Sequence, residues 1–442
     1  MQKTLITNWN KFPEIETEVN HYIIGSENNS SFLQNELTPR GNGRSYGDAS
    51  LGENVFSSLR HQKILHFNKS EGLFIAQSGI LFSEILDVIT PHGWFLPVTP
   101  GTKFITLGGA IAANVHGKNH HIEGSISRHI QFIILLLANG EILRCDRSQN
   151  TEIFYATIGG MGLSGFILSA GIQLKKIEST SISQLQLKAQ NLTEILEYFD
   201  HYSNFTYSVA WIDCLKKGKH FGRSILMLGE HSKEMEVKNK KELLVSHSKN
   251  SINIPFNFPS FVLNDFTIKW FNKLYYHKNL KSKKELQSHF DPFFYPLDSI
   301  LNWNRIYGKR GFIQYQFVLP KENGKLYLEK VLKRITDKGW GSFLAVLKMF
   351  GPEDEGYLSF PMEGYTLALD FPIRKGLFQF LDELDLLVKE AGGRIYLTKD
   401  ARMSSQIFKD TYPKLKEFQD IIGEINPERK FQSLLSKRLE II

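Results

Sequence analysis

Three glycine-rich stretches within the first 170 residues constrain this chain more than any other feature. The first, Thr38–Gly47, reads Thr-Pro-Arg-Gly-Asn-Gly-Arg-Ser-Tyr-Gly, with Gly41, Gly43 and Gly47 inside seven residues. Glycine reaches positive φ and lets a ligand approach the backbone closely. Successive main-chain N–H groups in such a loop form an anion-binding nest. Arg40 and Arg44 add charge and forked donors suited to phosphate. The stretch reads as a pyrophosphate cradle, with an ordinary glycine-rich turn as the plainer alternative. Its spacing is not the Gly-x-Gly-x-x-Gly of a Rossmann strand-to-helix turn.

The second stretch, Thr99–His121, opens on the turn signal Pro100-Gly101. Gly108, Gly109, Ala110, Ala112 and Ala113 then offer almost no side chain. Such a surface serves close helix packing or a flat shelf for a planar ligand. His116, Lys118, His120 and His121 cluster within six residues. No cysteine or carboxylate falls at a spacing that would complete a metal site, so polar contacts to an anionic or sugar ligand are the preferred reading. The third stretch, Gly159–Gly165, leads straight into the apolar run Phe166–Leu174. Three such loops suit one extended ligand better than a mononucleotide.

A chain of 442 residues exceeds one typical core, so two or three domains are expected. The 33 phenylalanines and 16 tyrosines imply large aromatic cores or an apolar ligand groove. A net charge of +7 favours anionic partners, but no nucleic-acid motif or sustained basic stripe accompanies it. Cys145 and Cys214 are the only cysteines, which excludes a disulfide framework and makes a reducing compartment the default. Met1–Pro13 lacks the apolar stretch of a secretory signal. The longest apolar run, Phe132–Ala138, is far shorter than a membrane-spanning helix. The expectation is a cytoplasmic protein, either soluble or peripheral to a membrane.

Hydrophobic periodicity predicts strands at Ile64–Phe67 and Leu73–Gln77 and a helix over Leu81–Ile89 stopped by Pro91-His92-Gly93. Phe132–Ala138 and Glu141–Cys145 read as a hairpin, with Asn139-Gly140 as a type I′ turn. After Lys175 glycine thins out, and helices alternate with strands as in one α+β domain. Residues 232–250 read as a polar, mobile loop. Asn257–Asp291 mixes aromatics with lysines, either a solvated face over a small core or a surface for anionic lipid. Phe312–Leu319 is a strand with Gln314 and Gln316 on one face. Lys348 interrupts the apolar strand Phe343–Met349, and Leu367–Phe371 carries Asp370. Leu377–Ala391 is a helix closed by Gly392-Gly393. Tyr396 and Lys399 follow a strand, and Lys399 fits either a solvated loop or a place beside an anionic cofactor.

Taken together, Arg40–Asp48, Thr99–Thr102, His116-Gly-Lys-Asn-His-His121, Gly159–Gly165, Gln314–Phe317, Asp370–Ile373 and Tyr396-Leu-Thr-Lys-Asp400 resemble the vanillyl-alcohol-oxidase, or PCMH-type, FAD-binding superfamily. Within it the chain is most similar to the enzymes that oxidise polyprenyl-phosphoryl ribose. The resemblance implies an α+β fold: a two-subdomain PCMH-type FAD-binding domain over 1–178, a substrate domain on an antiparallel sheet over 179–393, and a segment 394–442 returning to the flavin. Arg40, Gly41, Asn42, Gly43, Arg44, Ser45, Tyr46 and Gly47 would cradle the FAD pyrophosphate with Pro100, Gly101 and Thr102. Gly108, Gly109, Ala112, His116, Gly117, Gly162, Gly165, Ile167 and Tyr396 would line flavin and adenosine. Tyr46, His116, Lys118, Gln314, Gln316 and Lys348 would line the sugar-phosphate pocket.

Many relatives bind FAD covalently through a histidine in the first loop. Arg44 stands in that place, which implies non-covalent FAD. The implied reaction is oxidation of a ribose 2′-hydroxyl to the ketone, the first half of an epimerisation to the arabinose form. Lys399 would be the catalytic residue beside the flavin, or would orient the sugar. An NAD(P)H-dependent keto-reductase of the short-chain dehydrogenase type would be the partner. No metal and no nucleic acid are implied. A cysteine that relatives carry in the substrate pocket is Ala368 here. An aldonolactone- or alditol-type oxidase acting on a soluble sugar is the alternative.

Overall fold

The computed structural model describes residues 3–22, 34–237, 240, 243–246, 251–259, 261–278 and 281–442. The loop expected over 232–250 therefore lies partly outside the described residues.

Two larger sheets and one short strand pair form among the described residues of the first 180. Strands β1 (Thr4–Thr7), β2 (Glu14–His21), β3 (Thr38–Arg40) and β4 (Asn54–Ser57) order as β1-β2-β4-β3, with β4 parallel to both β2 and β3. The second sheet is antiparallel: β5 (Ile64–Asn68), β6 (Leu73–Gln77), β8 (Ile130–Leu136), β9 (Ile142–Cys145) and β10 (Phe166–Gln173), ordered β5-β6-β10-β8-β9. β10 is buried on both faces because it is central. That explains its mostly apolar sequence. The short pair β7 (Trp94–Phe95) and β11 (Lys175–Lys176) closes this region.

The Asn139-Gly140 turn departs from expectation. Gly140 donates to the Leu137 carbonyl at 3.0 Å and Leu137 to the Glu141 carbonyl at 2.8 Å. Only Gly140 of the turn has positive φ, at 89°. A type I′ turn needs both central residues left-handed. The connection is one residue longer, a type I turn with Gly140 as a bulge.

The remaining large sheet is wholly antiparallel. It comprises β12 (Ser181–Ala189), β13 (Tyr207–Ile212), β14 (Ser224–His231), β16 (Lys283–His289), β18 (Phe312–Pro320), β19 (Ala345–Phe350), β20 (Gly364–Pro372) and β21 (Arg394–Ile395). Their order is β16-β12-β14-β13-β19-β20-β18-β21. β15 (Ile252–Asn253) and β17 (Ile300–Leu301) form a separate parallel pair. Period-two alternation gives the large sheet two characters. Ala210, Leu226, Tyr315, Phe317, Leu347, Leu367 and Leu369 join one buried core with the helices Leu192–His201, Lys321–Lys338 and Leu377–Glu390. The intervening residues Gln186, Trp211, Met227, Gln314, Gln316, Val346, Lys348 and Ala368 face a cavity instead.

The chain ends in three helices, Ser405–Thr411, Leu415–Ile425 and Leu434–Leu439. Ser404 and Ser433 cap the first and last through their side chains, satisfying otherwise orphaned N–H groups. These helices pack into the large core and return to the glycine loop: Gln432 donates to the Leu37 carbonyl at 3.0 Å, and Leu434 to that of Leu51 at 2.8 Å.

Candidate active site

A cavity of about 830 Å³ lies between the polar face of the large sheet and the three glycine-rich stretches. Each stretch supplies bare backbone to its wall. The amides of residues 42–45 meet no protein acceptor among the described residues, as a nest awaiting an anion requires. A Cβ on Gly41 would lie 2.2 Å from Thr106 Oγ1, and one on Gly108 would lie 2.8 Å from Ser78 Cβ. Gly43 and Gly162 hold φ of 59° and 82°. Gly109, Ala112 and Ala113 continue the shelf, and Gly117, Gly165 and Ile167 close it. Thr106 caps the helix Leu107–Ala112 by accepting from the Gly109 amide at 3.2 Å, which fixes the shelf's angle.

Of the residues expected in the cofactor and substrate sites, only Gly47 does not line the cavity. Its missing side chain serves the protein itself: a Cβ there would lie 1.6 Å from the Asp400 carbonyl. Arg40 also departs from expectation. Arg40 lines the cavity, but its guanidinium is taken by Asn8 Oδ1 at 2.6 Å, the Ser50 carbonyl at 3.0 Å and the Thr7 carbonyl at 2.9 Å. It braces the loop rather than offering a fork to phosphate, and burial pulls it down to about 10. Arg44 instead lies over the Trp9 ring at 4.1 Å and the Phe104 ring at 5.3 Å. Asn42 donates to the Phe104 carbonyl at 2.8 Å.

Part of the cavity wall is polar and cationic. Burial draws Lys118, Lys348 and Lys399 each down to about 7. None makes an ion pair among the described residues. Lys118 Nζ donates to the Phe293 carbonyl and lies 4.5 Å from that ring's centroid. Lys399 Nζ sits 3.5 Å from the Tyr46 ring centroid. Its backbone is held by a short 3-10 turn, Leu397–Lys399, and the Tyr46 amide donates to the Thr398 carbonyl at 2.9 Å. The loop that would cradle pyrophosphate and the turn that bears Lys399 are thus joined directly.

Gln316 Nε2 donates to His116 Nε2 at 3.2 Å and to Thr366 Oγ1 at 3.3 Å. His116 is kept neutral by burial first and then by Lys348. With Nε2 accepting, the proton falls on Nδ1, a buried atom with no partner. Tyr396 stacks on Phe360 at 4.4 Å and donates to the Ala113 carbonyl at 3.1 Å, tying the C-terminal segment to the small-residue shelf. His120 and His121 turn elsewhere, to Asp354 at 3.1 Å and the Phe205 carbonyl at 2.8 Å. Ala368 sits between Gln316 and Val346 in register, so the wall there carries only a methyl.

Sequence reasoning missed Asp370 as a site residue. Its carboxylate accepts from Gln314 Nε2 at 2.6 Å and Tyr307 Oη at 3.3 Å. Burial lifts it to about 7, opposed by Gln314 and by the Lys399 charge. The available signal was an acid inside an otherwise apolar strand. Asp370 acts from behind the wall through Gln314, whereas Trp9, Trp211 and Phe343 line the cavity directly and carried no local motif.

Residues 33–146 match the FAD binding domain family. Decaprenylphosphoryl-beta-D-ribose oxidase of Mycolicibacterium smegmatis is 35% identical over 410 residues, covering 91% of this chain and 89% of that protein. The chain belongs to the decaprenylphosphoryl-β-D-ribose oxidase family. It is an FAD-dependent oxidoreductase, and the unpaired amides of the first loop suit that cofactor's pyrophosphate. An uncharacterised protein of Streptomyces coelicolor is 28% identical over 81% of this chain and 100% of its own length. L-gulonolactone oxidase of Bos taurus is also 28% identical, but over only 36% of this chain and 38% of its own. Membership in the decaprenylphosphoryl-β-D-ribose oxidase family therefore extends through the large sheet, whereas likeness to the aldonolactone class is partial.

Proposed function

We propose that this protein oxidises the 2′-hydroxyl of a polyprenyl-phosphoryl-β-D-ribose to the 2′-ketone, the first half of epimerisation to the arabinose form. The carrying observation is the composition of one cavity. Three buried lysines, none of them in an ion pair among the described residues, lie along a polar wall, and Trp211, Phe271, Phe343, Trp303 and Leu344 continue it with apolar surface. A sugar phosphate suits the first part and a prenyl chain the second. The partial likeness to an aldonolactone-type oxidase supplies no need for the apolar wall.

FAD, bound non-covalently because Arg44 takes the place of an attaching histidine, would supply a hydride acceptor. The free backbone amides of residues 42–45, with those of Gly101 and Thr102 after the Pro100 turn, would hold its pyrophosphate. Gly108, Gly109, Ala112, Gly162 and Tyr396 would flank its rings. Lys399 places positive charge where negative charge develops during oxidation. Gln314, Gln316 and neutral His116 would orient the sugar hydroxyls, and Lys118 and Lys348 the phosphate. The keto product needs reduction from the opposite face, and a keto-reductase of the short-chain dehydrogenase type would be the partner that supplies it.

The domains are read as 1–178 for the cofactor, itself of two subdomains with a sheet each, 179–393 for the substrate, and 394–442 closing on the first. A lipid-borne substrate makes this a peripheral membrane protein. Among the described residues no helix is long and apolar enough to cross a membrane.

The deciding experiment is anaerobic mixing of the yellow protein with polyprenyl-phosphoryl ribose, beside free sugar acids and alditols. Bleaching by the lipid phosphate alone is expected. Bleaching by the soluble sugars alone transfers the protein to the aldonolactone class. Acid precipitation should leave the colour in the supernatant, and colour in the pellet would contradict non-covalent attachment.

A further inference from the structure

The helix Asp265–Lys278 has an unusual outer face. Phe266, Trp270 and Leu274 recur every fourth residue and therefore share one stripe. They are 69%, 52% and 58% exposed, and Phe261 just ahead of them is 74% exposed. Single exposed apolar side chains need no explanation, but a contiguous set on one face does. Lys269, Lys273 and Lys278 are exposed alongside the stripe. The helix carries one acid, Asp265, which is already paired with Arg374 at 3.5 Å. The outer face is thus aromatic and basic with no free carboxylate.

The inner face explains where this helix lies. Ile268, Asn272 and Tyr276 are buried. Phe271 and Tyr275 stack at 5.8 Å and line the cavity, with Phe271 also meeting the Phe343 ring at 5.5 Å. The exposed stripe is therefore the outside of the same helix whose inside forms the apolar wall.

We infer that this helix docks on an anionic lipid bilayer, with Phe266, Trp270 and Leu274 seated at the acyl boundary and the lysines on phosphate headgroups. Charge decides for this occupant. A neutral apolar partner would leave three lysines without counter-charge, whereas an anionic leaflet supplies it along the whole helix. Docking there sets the cavity's apolar wall against the lipid phase, so a prenyl chain passes from bilayer to cavity without crossing water. This builds on the lipid-borne substrate proposed above, but its test is separate.

The holoenzyme is mixed with vesicles of phosphatidylcholine alone and of phosphatidylcholine with phosphatidylglycerol, and bound protein is read by flotation and by tryptophan fluorescence. Binding to the anionic vesicles is expected, weakened by salt, with little on the neutral ones. F266S/W270S should lower affinity roughly ten- to a hundredfold, the burial of two large side chains being lost. K269E/K273E should lower it at least about fivefold per lysine. Neither pair lines the cavity, so bleaching by detergent-dispersed substrate should be unchanged in both variants. No vesicle binding, equal binding to both vesicle types, or binding unmoved by these substitutions overturns the inference. Failure of bleaching in the unaltered protein overturns the substrate instead and leaves the docking result standing.

Discussion

Arg438, in the last helix, clamps the two segments that converge on Lys399. Its guanidinium donates to Asp48 through Nε and Nη2 at 2.9 Å each, to Asp400 through Nη2 at 2.8 Å, and to the Met403 carbonyl at 2.6 Å. Asp48 follows the first glycine loop, and Asp400 follows Lys399. Both carboxylates are buried, with 5% and 3% side-chain exposure. Burial alone works against the Arg438 charge, but Asp400 and Asp48 more than offset it and the group is held charged. Arg438→Met leaves two carboxylates facing each other inside the protein. Breaking a fully buried pair costs about 3–5 kcal/mol. A side chain that is 24% exposed belongs at the lower end, about 3 kcal/mol.

That loss reads differently in two assays. Unfolding entropy of about 2.1 cal/mol/K per residue over 442 residues makes 3 kcal/mol worth only about 3 °C of melting temperature. The same energy, felt as opening of the loop against the Lys399 turn, corresponds to roughly 150-fold in FAD affinity. The expected phenotype is a protein that melts almost normally and loses its flavin on dilution or gel filtration. Arg438→Lys keeps the charge without the fork and should fall between. The sign of the pH effect follows from Asp48. Burial pushes its carboxyl up and Arg438 pulls it down. Without the arginine it rises further above the unfolded value, so the deficit is full at pH 8 and shrinks as pH falls toward 5. An Arg438→Met protein with unchanged FAD affinity, or a deficit equal at both pH values, refutes the clamp.

Lys399→Ala should abolish anaerobic flavin reduction while the protein stays yellow, and near-normal turnover would remove Lys399 from the chemistry. Asp370→Asn removes the charge that favours the Lys399 ammonium. The alkaline limb of the flavin-reduction rate should therefore move to lower pH, by about one unit for each 1.4 kcal/mol of lost interaction. An unmoved limb dismisses Asp370 as the group that sets Lys399. Lys118, Lys348 and Lys399 all sit far below the unfolded lysine value of about 10.4. Their burial penalty is full below about pH 7 and is relieved as pH rises toward 10.4. A phosphorylated ligand reverses this by recharging them. Calorimetry in two buffers of different ionisation heat should show proton uptake on binding near pH 8, and proton release would contradict the cationic pocket.

What the sequence disclosed, and what it did not, follows from the range of each interaction. Glycine stretches are legible because backbone approach and positive φ are local demands, so Gly41, Gly43, Gly108 and Gly162 could be assigned to a bare wall. Gly47 and Arg40 looked the same locally and were separated only by distant partners. Gly47 lies against the Asp400 carbonyl, and Arg40 reaches Asn8 and Thr7 across more than thirty residues. Gln314 and Gln316 were visible as one face because strand alternation has period two. Asp370 lies opposite Gln314 in register and was equally visible, yet its meaning depends on Tyr307 and on Lys399, which only the fold supplies.

The tail shows why such a site needs long-range closure. An anion-binding nest must keep its amides unpaired, so it cannot stabilise its own conformation by internal hydrogen bonds. The loop over residues 42–45 has that deficit. Its conformation is held from outside: by Arg40 on the first strands, by Thr398 accepting from Tyr46, and by Arg438 on Asp48. Two of those three restraints come from residues beyond 393. A truncation ahead of the final helix, removing 434–442, should therefore cost cofactor retention before it costs the large sheet. Far-ultraviolet circular dichroism beside flavin absorbance distinguishes the two. Simultaneous loss of both signals would show that the helix supports the whole fold, and the separate closure argued here would be wrong.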